Sequence, residues 1–140
     1  MARDEKLELL KTVPLFAGLS NRELQRIGEL ADEVDVPADR VIMRQGESGS
    51  EMLVIIDGSA RIERDGAVIA ESGSGDVLGE IALLDGGPRT ATVTLTRDSR
   101  LLVLGRREFH AAMDEMPDVR LRVLEAVAHR LRTLDSTSVH

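Results

Sequence analysis

The sequence predicts a mainly β domain with helices at both ends, and three observations point there. Apolar residues recur with helical spacing before residue 34 and after residue 105, and with strand-like spacing between. The middle stretch is cut by turn residues into many short runs, the rhythm of an antiparallel sandwich or barrel. The composition is that of one aliphatic domain: 140 residues, 42% hydrophobic and 31% charged, with two Phe and no Trp, Tyr or Cys. That length suits a single domain with a core of its own, and the lack of cysteine excludes a disulfide framework and thiolate metal sites.

At the N-terminus, Leu7, Leu10 and Val13 suggest a short leading helix that Pro14 ends. Ser20-Asn21-Arg22-Glu23 reads as a capping box opening a second helix, with Leu24, Ile27, Leu30 and Ala31 on one face. Strands follow from Val34: Val41–Met43, Met52–Ile56, Ala60–Ile62, Val68–Ala70, Thr90–Leu95 and Leu101–Leu104. Asp57-Gly58 and Asp65-Gly66 are both expected as tight hairpin turns, because such turns need positive φ at both central residues. A short helix spans Arg106 to Asp114, and another runs from Asp118 to about Leu134 with Pro117 at its start. In it Leu121, Leu124, Val127, Ala128, Leu131 and Leu134 form a stripe, while Arg120, Arg122, Glu125, Arg130 and Arg132 are expected to face away. That spacing suits core packing or a dimer seam equally. The expected layout is one domain over 1–140: helices about 4–32, strands about 34–105, C-terminal helices about 106–134 and a flexible tail at 135–140.

Several functions are disfavoured. The charged opening MARDEKLELLK does not resemble a signal peptide, and no run approaches the ~18 apolar residues of a membrane span, so a cytoplasmic protein is expected. A net charge of −7 argues against a general nucleic-acid binder. His110, His129 and His140 lack partners at metal-ligand spacing and are expected on the solvated surface. No Gly-x-Ser-x-Gly elbow presents a nucleophile. Residues 73–79, GSGDVLG, lack the glycine spacing and βαβ context of a dinucleotide fingerprint, so a turn is the better reading. Neither a metal, a cofactor nor a catalytic residue is expected, and the chain is not expected to be an enzyme.

The informative stretch is GEIALLDGGPRTATV, residues 79–93. Glu80 to Leu84 suit one helical turn, with Gly79 permitting a sharp entry. The start of such a turn presents unpaired N–H groups to an anion. Pro88 fixes the chain before Arg89, whose guanidinium can grip a phosphate through paired hydrogen bonds. The Glu80 carboxylate can accept from a sugar hydroxyl.

Gly79-Glu80-Ile81-Ala82-Leu83, a short spacer, then Pro88-Arg89-Thr90-Ala91-Thr92-Val93 resembles the phosphate-binding cassette of the cyclic-nucleotide-binding domain family. The resemblance extends to Gln45-Gly46-Glu47, Asp57-Gly58, Gly75-Asp76 and Pro117-Asp118, nearly the whole chain. It implies a double-stranded β-helix, a jelly-roll-like β-roll of about eight strands, with N-terminal helices and a C-terminal helix pair. It also implies that Glu80 binds the ribose 2′-hydroxyl. The N–H groups of Ile81 and Ala82, entered through Gly79, would bind the cyclic phosphate together with Arg89. Thr90 would lie beside phosphate and base, with Ile62, Ile69 and Leu78 as walls. The ligand expected is cyclic AMP, with cyclic GMP the alternative. Because the sequence ends at His140, a DNA-reading domain is not expected. The base is expected to be capped by side chains near Leu131 to Leu134, or by a partner.

Two functions compete on these grounds. One is a cyclic-nucleotide sensor that changes the pose of its terminal helices, with a homodimer or an effector protein engaged through the C-terminal helix. The other is a protein–protein interaction module that retains the fold without using the pocket. An intact Glu80 and Arg89, taken as a buried acid–cation pair, favours the first.

Overall fold

The computed structural model describes residues 3–138, and the side chains of residues 3–134. Helix α1 (Arg3–Lys11), a 3-10 turn (Pro14–Phe16) and helix α2 (Asn21–Leu30) precede eight strands. The strands are β1 (Asp32–Val36), β2 (Val41–Met43), β3 (Glu51–Asp57), β4 (Ser59–Arg64), β5 (Ala67–Gly73), β6 (Val77–Leu78), β7 (Thr92–Leu95) and β8 (Ser99–Gly105). The single turn α3 (Ala82–Asp85) lies between β6 and β7, and α4 (Arg106–Glu115) and α5 (Pro117–Ser138) close the chain.

Two antiparallel four-stranded sheets form the roll, in the orders β1-β8-β3-β6 and β2-β7-β4-β5. The first sheet is a middle layer, as strand alternation requires. On β3, Met52 and Val54 point to a core shared with the helices, while Leu53 and Ile55 point to the core between the sheets. On β8, Leu102 and Leu104 join the helical core and Leu101 the inter-sheet core. Both phenylalanines serve the helical core, Phe16 and Phe109 lying 5.5 Å apart between ring centroids.

Local signals were kept in most places. Ser20 caps α2, its hydroxyl accepting from the Glu23 N–H at 3.2 Å while Glu23 accepts from the Ser20 N–H at 2.9 Å. Asp65 (φ 52°) and Gly66 (φ 82°) make the hairpin turn of β4 and β5. Asp57-Gly58 does not, because neither residue has positive φ. The chain passes there from β3 in one sheet to β4 in the other, a corner between sheets rather than a hairpin.

The C-terminal helix corrects three expectations. Its body-facing residues are Val119 and Val123, fully or nearly buried, with Val127 partly so. The leucine stripe is the other face: Leu121, Leu124 and Leu131 are 55%, 63% and 61% exposed. Both rows are apolar at helical spacing, so periodicity could not say which packs on the body; the core-packing reading fails for the leucines of the stripe, while Val127 joins the body in part. Nor do Arg122 and Arg130 face away, since Arg122 donates to the Gly18 carbonyl at 2.9 Å and Arg130 reaches Glu80. Finally, α5 continues to Ser138, past the expected end at Leu134. The expected flexible tail therefore overlaps helix through residue 138, and residues 139–140 lie outside the described ones.

Candidate functional site

Two loops, distant in sequence, are zipped together by their backbones. The Arg89 N–H donates to the Glu47 carbonyl at 2.8 Å, and the Gly46 N–H donates to the Arg89 carbonyl at 2.9 Å. The Gly49 N–H reaches the Gly87 carbonyl at 2.9 Å, and Ser48 bridges Pro88. Beside this seam the chain turns at Gly79 (φ 73°) into α3, which Gly86 (φ 62°) ends in the left-handed conformation. The helical turn is shorter than expected and begins at Ala82, not Glu80. Its early N–H groups are partly engaged, Ala82 with the Gly79 carbonyl at 3.2 Å and Leu83 with the Glu80 carbonyl at 3.1 Å.

The Arg89 guanidinium lies between two glycines. A Cβ at Gly49 would stand 2.8 Å from its Cζ, and a Cβ at Gly79 would collide with its Nη1. Nη2 donates to the Glu51 carbonyl at 2.8 Å. Nη1 is buried and has no hydrogen-bond partner among the described residues. Burial lowers the guanidinium below its ordinary pKa, and the nearby Glu51 carboxylate partly offsets this. A buried cationic donor with a free N–H is a ready anion site, because an unmade charged hydrogen bond is costly.

Glu80 is 9% exposed and is not the partner of Arg89. Its Oε1 takes an ion pair from Arg130 on α5 at 2.7 Å, and its Oε2 accepts from the Leu15 N–H at 3.3 Å. The expected acid–cation pair is therefore split. Each charge is held by a different part of the chain, Arg89 by β3 and Glu80 by the two terminal helical regions.

All nine expected site residues surround one open cavity of about 560 Å³. Gly79, Glu80, Ile81 and Ala82 line it from the turn, Arg89 and Thr90 from the second loop, and Ile62, Ile69 and Leu78 from the strands. Ile69 and Ile81 are about half exposed, so the wall is open to solvent. Arg64 also lines it, its Nε donating to the Thr90 carbonyl at 3.0 Å, and sequence reasoning missed it. Gly49, Glu51, Leu15 and Arg130 were missed as well. The hydrogen bonds of Glu51 and Leu15 to the site use backbone atoms, and backbone contacts leave no residue-type signature.

Of the histidines, His129 is exposed as expected, and His140 lies outside the described residues. His110 is not simply solvated: it is part-buried, with its Nε2 3.0 Å from the Leu83 carbonyl. Among the described residues no group of His, Asp and Glu could hold a metal ion. No helix among them is long and apolar enough to cross a membrane.

The family model described as "Cyclic nucleotide-binding domain" matches residues 33–116. The chain belongs to the cyclic nucleotide-binding domain family. The matched span covers the strands and the cavity, and the fold agrees. The N-terminal domain of a transcriptional regulator from Streptomyces coelicolor superposes with a TM-score of 0.84 at 30% identity, covering 92% of this chain and 93% of that one. Among curated proteins, the Pycsar effector protein XpPycTIR of Xanthomonas perforans is 32% identical over 126 residues, 88% of this chain and 42% of that protein. A CRP-like cAMP-activated global transcriptional regulator of Mycobacterium tuberculosis is 27% identical over 130 residues, 89% of this chain and 58% of that protein. This cyclic nucleotide-binding domain thus spans about half the length of the curated relatives it matches.

The close approach at Gly79 gives a direct test of the packing. Gly79→Ala should destabilise the protein by about 1–2 kcal/mol, from a left-handed backbone carrying a Cβ and from displacement of Arg89. Urea unfolding measures it; an unchanged midpoint would mean that the turn and the arginine are not packed as described.

Proposed function

We propose that this domain is a regulatory receptor for a cyclic purine nucleotide, which binds in the cavity between α3 and the strands. The observation that carries the reading is the half-buried Arg89, which lines the cavity and whose Nη1 is buried with no hydrogen-bond partner among the described residues. Arg89 takes the cyclic phosphate, helped by the N–H groups of Ile81 and Ala82. Glu80 takes the ribose 2′-hydroxyl, Thr90 lies beside phosphate and base, and Ile62, Ile69 and Leu78 line the base. The Mycobacterium relative is described as cAMP-activated, so cyclic AMP is the ligand proposed first, with cyclic GMP the alternative. No residue in the cavity is assigned a catalytic role, and the domain acts by binding.

Calorimetry with the two nucleotides tests this. Arg89→Ala leaves a buried phosphate charge unpaired, which should cost about 2–5 kcal/mol, or ~30- to 5,000-fold in affinity. Arg89→Lys should restore only part, since an ammonium cannot make the two-pronged contact. If Arg89→Ala binds as tightly as the parent, the pocket is unused and the protein is an interaction module on a retained fold.

The ligand signal leaves through α5. Val119 and Val123 anchor the start of that helix in the core, and farther along Arg130 ties it to Glu80, a site residue. A ligand shifts such a helix only by interacting differently with its two positions. Amide exchange over residues 118–134 should therefore change when nucleotide is added. Identical protection with and without nucleotide would remove the coupling.

The partner we propose for the outer face of α5 is a second copy of this chain. Leu121, Leu124, Ala128 and Leu131 occupy successive a and d positions of a heptad pattern, and the three leucines are exposed. In parallel pairing Arg120 at g would meet Glu125 at e of the other copy. Sedimentation should show a dimer that Leu124→Glu dissociates; a monomer at high micromolar concentration would leave the face to an effector protein.

A further inference from the structure

A single helical turn gains too few hydrogen bonds to hold itself, since nucleation fixes several residues for one bond. The turn α3 is held at its far end by α4. The carbonyls of Ile81 and Ala82 take the N–H groups of Asp85 and Gly86 at 3.3 and 3.0 Å. Beyond them the turn stops at Gly86, and the last carbonyls need donors from elsewhere. His110 Nε2 lies 3.0 Å from the Leu83 carbonyl, and Arg106 Nη2 donates to the Leu84 carbonyl at 3.3 Å. A carbonyl only accepts, so Nε2 carries the ring hydrogen in this contact. Neither side chain lines the cavity. Arg106 also reaches the other loop of the site. Its backbone N–H donates to the carbonyl of Ser50, next to the Gly49 that packs against Arg89, at 2.7 Å. Its side chain crosses Gly86, where a Cβ would stand 3.4 Å from the Arg106 Cδ and Nε.

A guanidinium is a costly way to make that link. The Arg106 Nε is buried and has no hydrogen-bond partner among the described residues, and a buried donor left unpaired lowers stability. An unbranched apolar side chain of similar reach would fill the space without that cost. Leu84 is only partly buried, so water could then serve its carbonyl. What the apolar chain could not do is tie α3 to the loop before β3. We infer that Arg106, assisted by His110, is a positioning residue for the phosphate. It fixes the N–H groups of Ile81 and Ala82 relative to the Arg89 guanidinium, at some expense in stability. This rests on the cyclic-nucleotide reading of the cavity and extends it to residues that touch no ligand. A phosphate held from two separate loops binds less tightly when the loops can drift, because their orientation must then be fixed on binding.

The test is Arg106→Met, read by urea unfolding, by amide exchange over residues 84–87 without nucleotide, and by calorimetry with cyclic AMP and cyclic GMP. Its urea midpoint should be no lower than the parent's, while the 84–87 amides exchange faster. Its affinity for the preferred nucleotide should fall roughly three- to tenfold, on the scale of one hydrogen bond. Arg106→Lys keeps a donor and should recover part of both losses. His110→Gln, whose amide can still donate to the Leu83 carbonyl, should stay closer to the parent than His110→Leu. Parent-like affinity or unchanged exchange in Arg106→Met would overturn the inference. So would a lower midpoint in step with weaker binding, since Arg106 would then be only a structural residue. If the parent itself binds neither nucleotide, the cyclic-nucleotide reading fails and takes the positioning role with it. Faster exchange in Arg106→Met would distinguish that outcome from failure of the clamp.

Discussion

The half-buried guanidinium of Arg89 constrains this structure more than any other group. Arg89 needs a carbonyl at one nitrogen, a negative charge nearby and space for its flat head. Residues 46–51 supply all three: the Glu51 carbonyl, the Glu51 carboxylate and the bare backbone of Gly49. That is why the two loops are stitched along Glu47–Arg89 and Gly49–Gly87, and why Gly79 must carry no side chain. The cassette residues 79–93 are half of a unit whose other half lies forty positions earlier, and neither half encloses the cation alone.

The layered core explains how so small a chain keeps such a site rigid on one side and movable on the other. Strands β3 and β8 are apolar on both faces, so the middle sheet is fixed by two cores at once. Arg89 is anchored to β3 through the carbonyl of Glu51. The helix that meets Glu80 has no such double anchorage: α5 is seated by Val119 and Val123, and beyond them its contact with the site is a charge pair with a half-exposed arginine. Stability is concentrated where the phosphate contact is proposed, and the weaker attachment lies where the signal is proposed to leave.

Much of this was legible in the sequence. Local chemistry marked the capping box at Ser20 and the turn at Asp65-Gly66, and the nine residues chosen from the cassette and the strands do converge on one cavity. What failed did so for definable reasons. Asp57-Gly58 carries hairpin residues, yet whether a chain doubles back or crosses to another sheet is a tertiary decision. The leucine row of α5 outweighs the valine row in hydrophobicity, but the shape of the body selected the valines. The pairing of Glu80 with Arg89 was inferred from proximity in sequence, whereas charges pair by proximity in space. Arg130, fifty residues away, could not have been found that way.

The zipped loops also bear on when the site comes into existence. β1 pairs with β8, Asp32 lying opposite Val103, and Arg89 meets Glu47 across a shorter but still long intervening chain. Contacts this remote in sequence form only after a large loss of chain entropy, and folds rich in them cross their barrier slowly. On a ribosome, where residues emerge one at a time, α1, α2 and β1 to β6 must wait for β7 and β8 before either sheet is complete. During that interval the apolar faces of β3 are uncovered, and the cavity has no floor. The nascent chain therefore completes its cavity in the same step that buries its apolar strands.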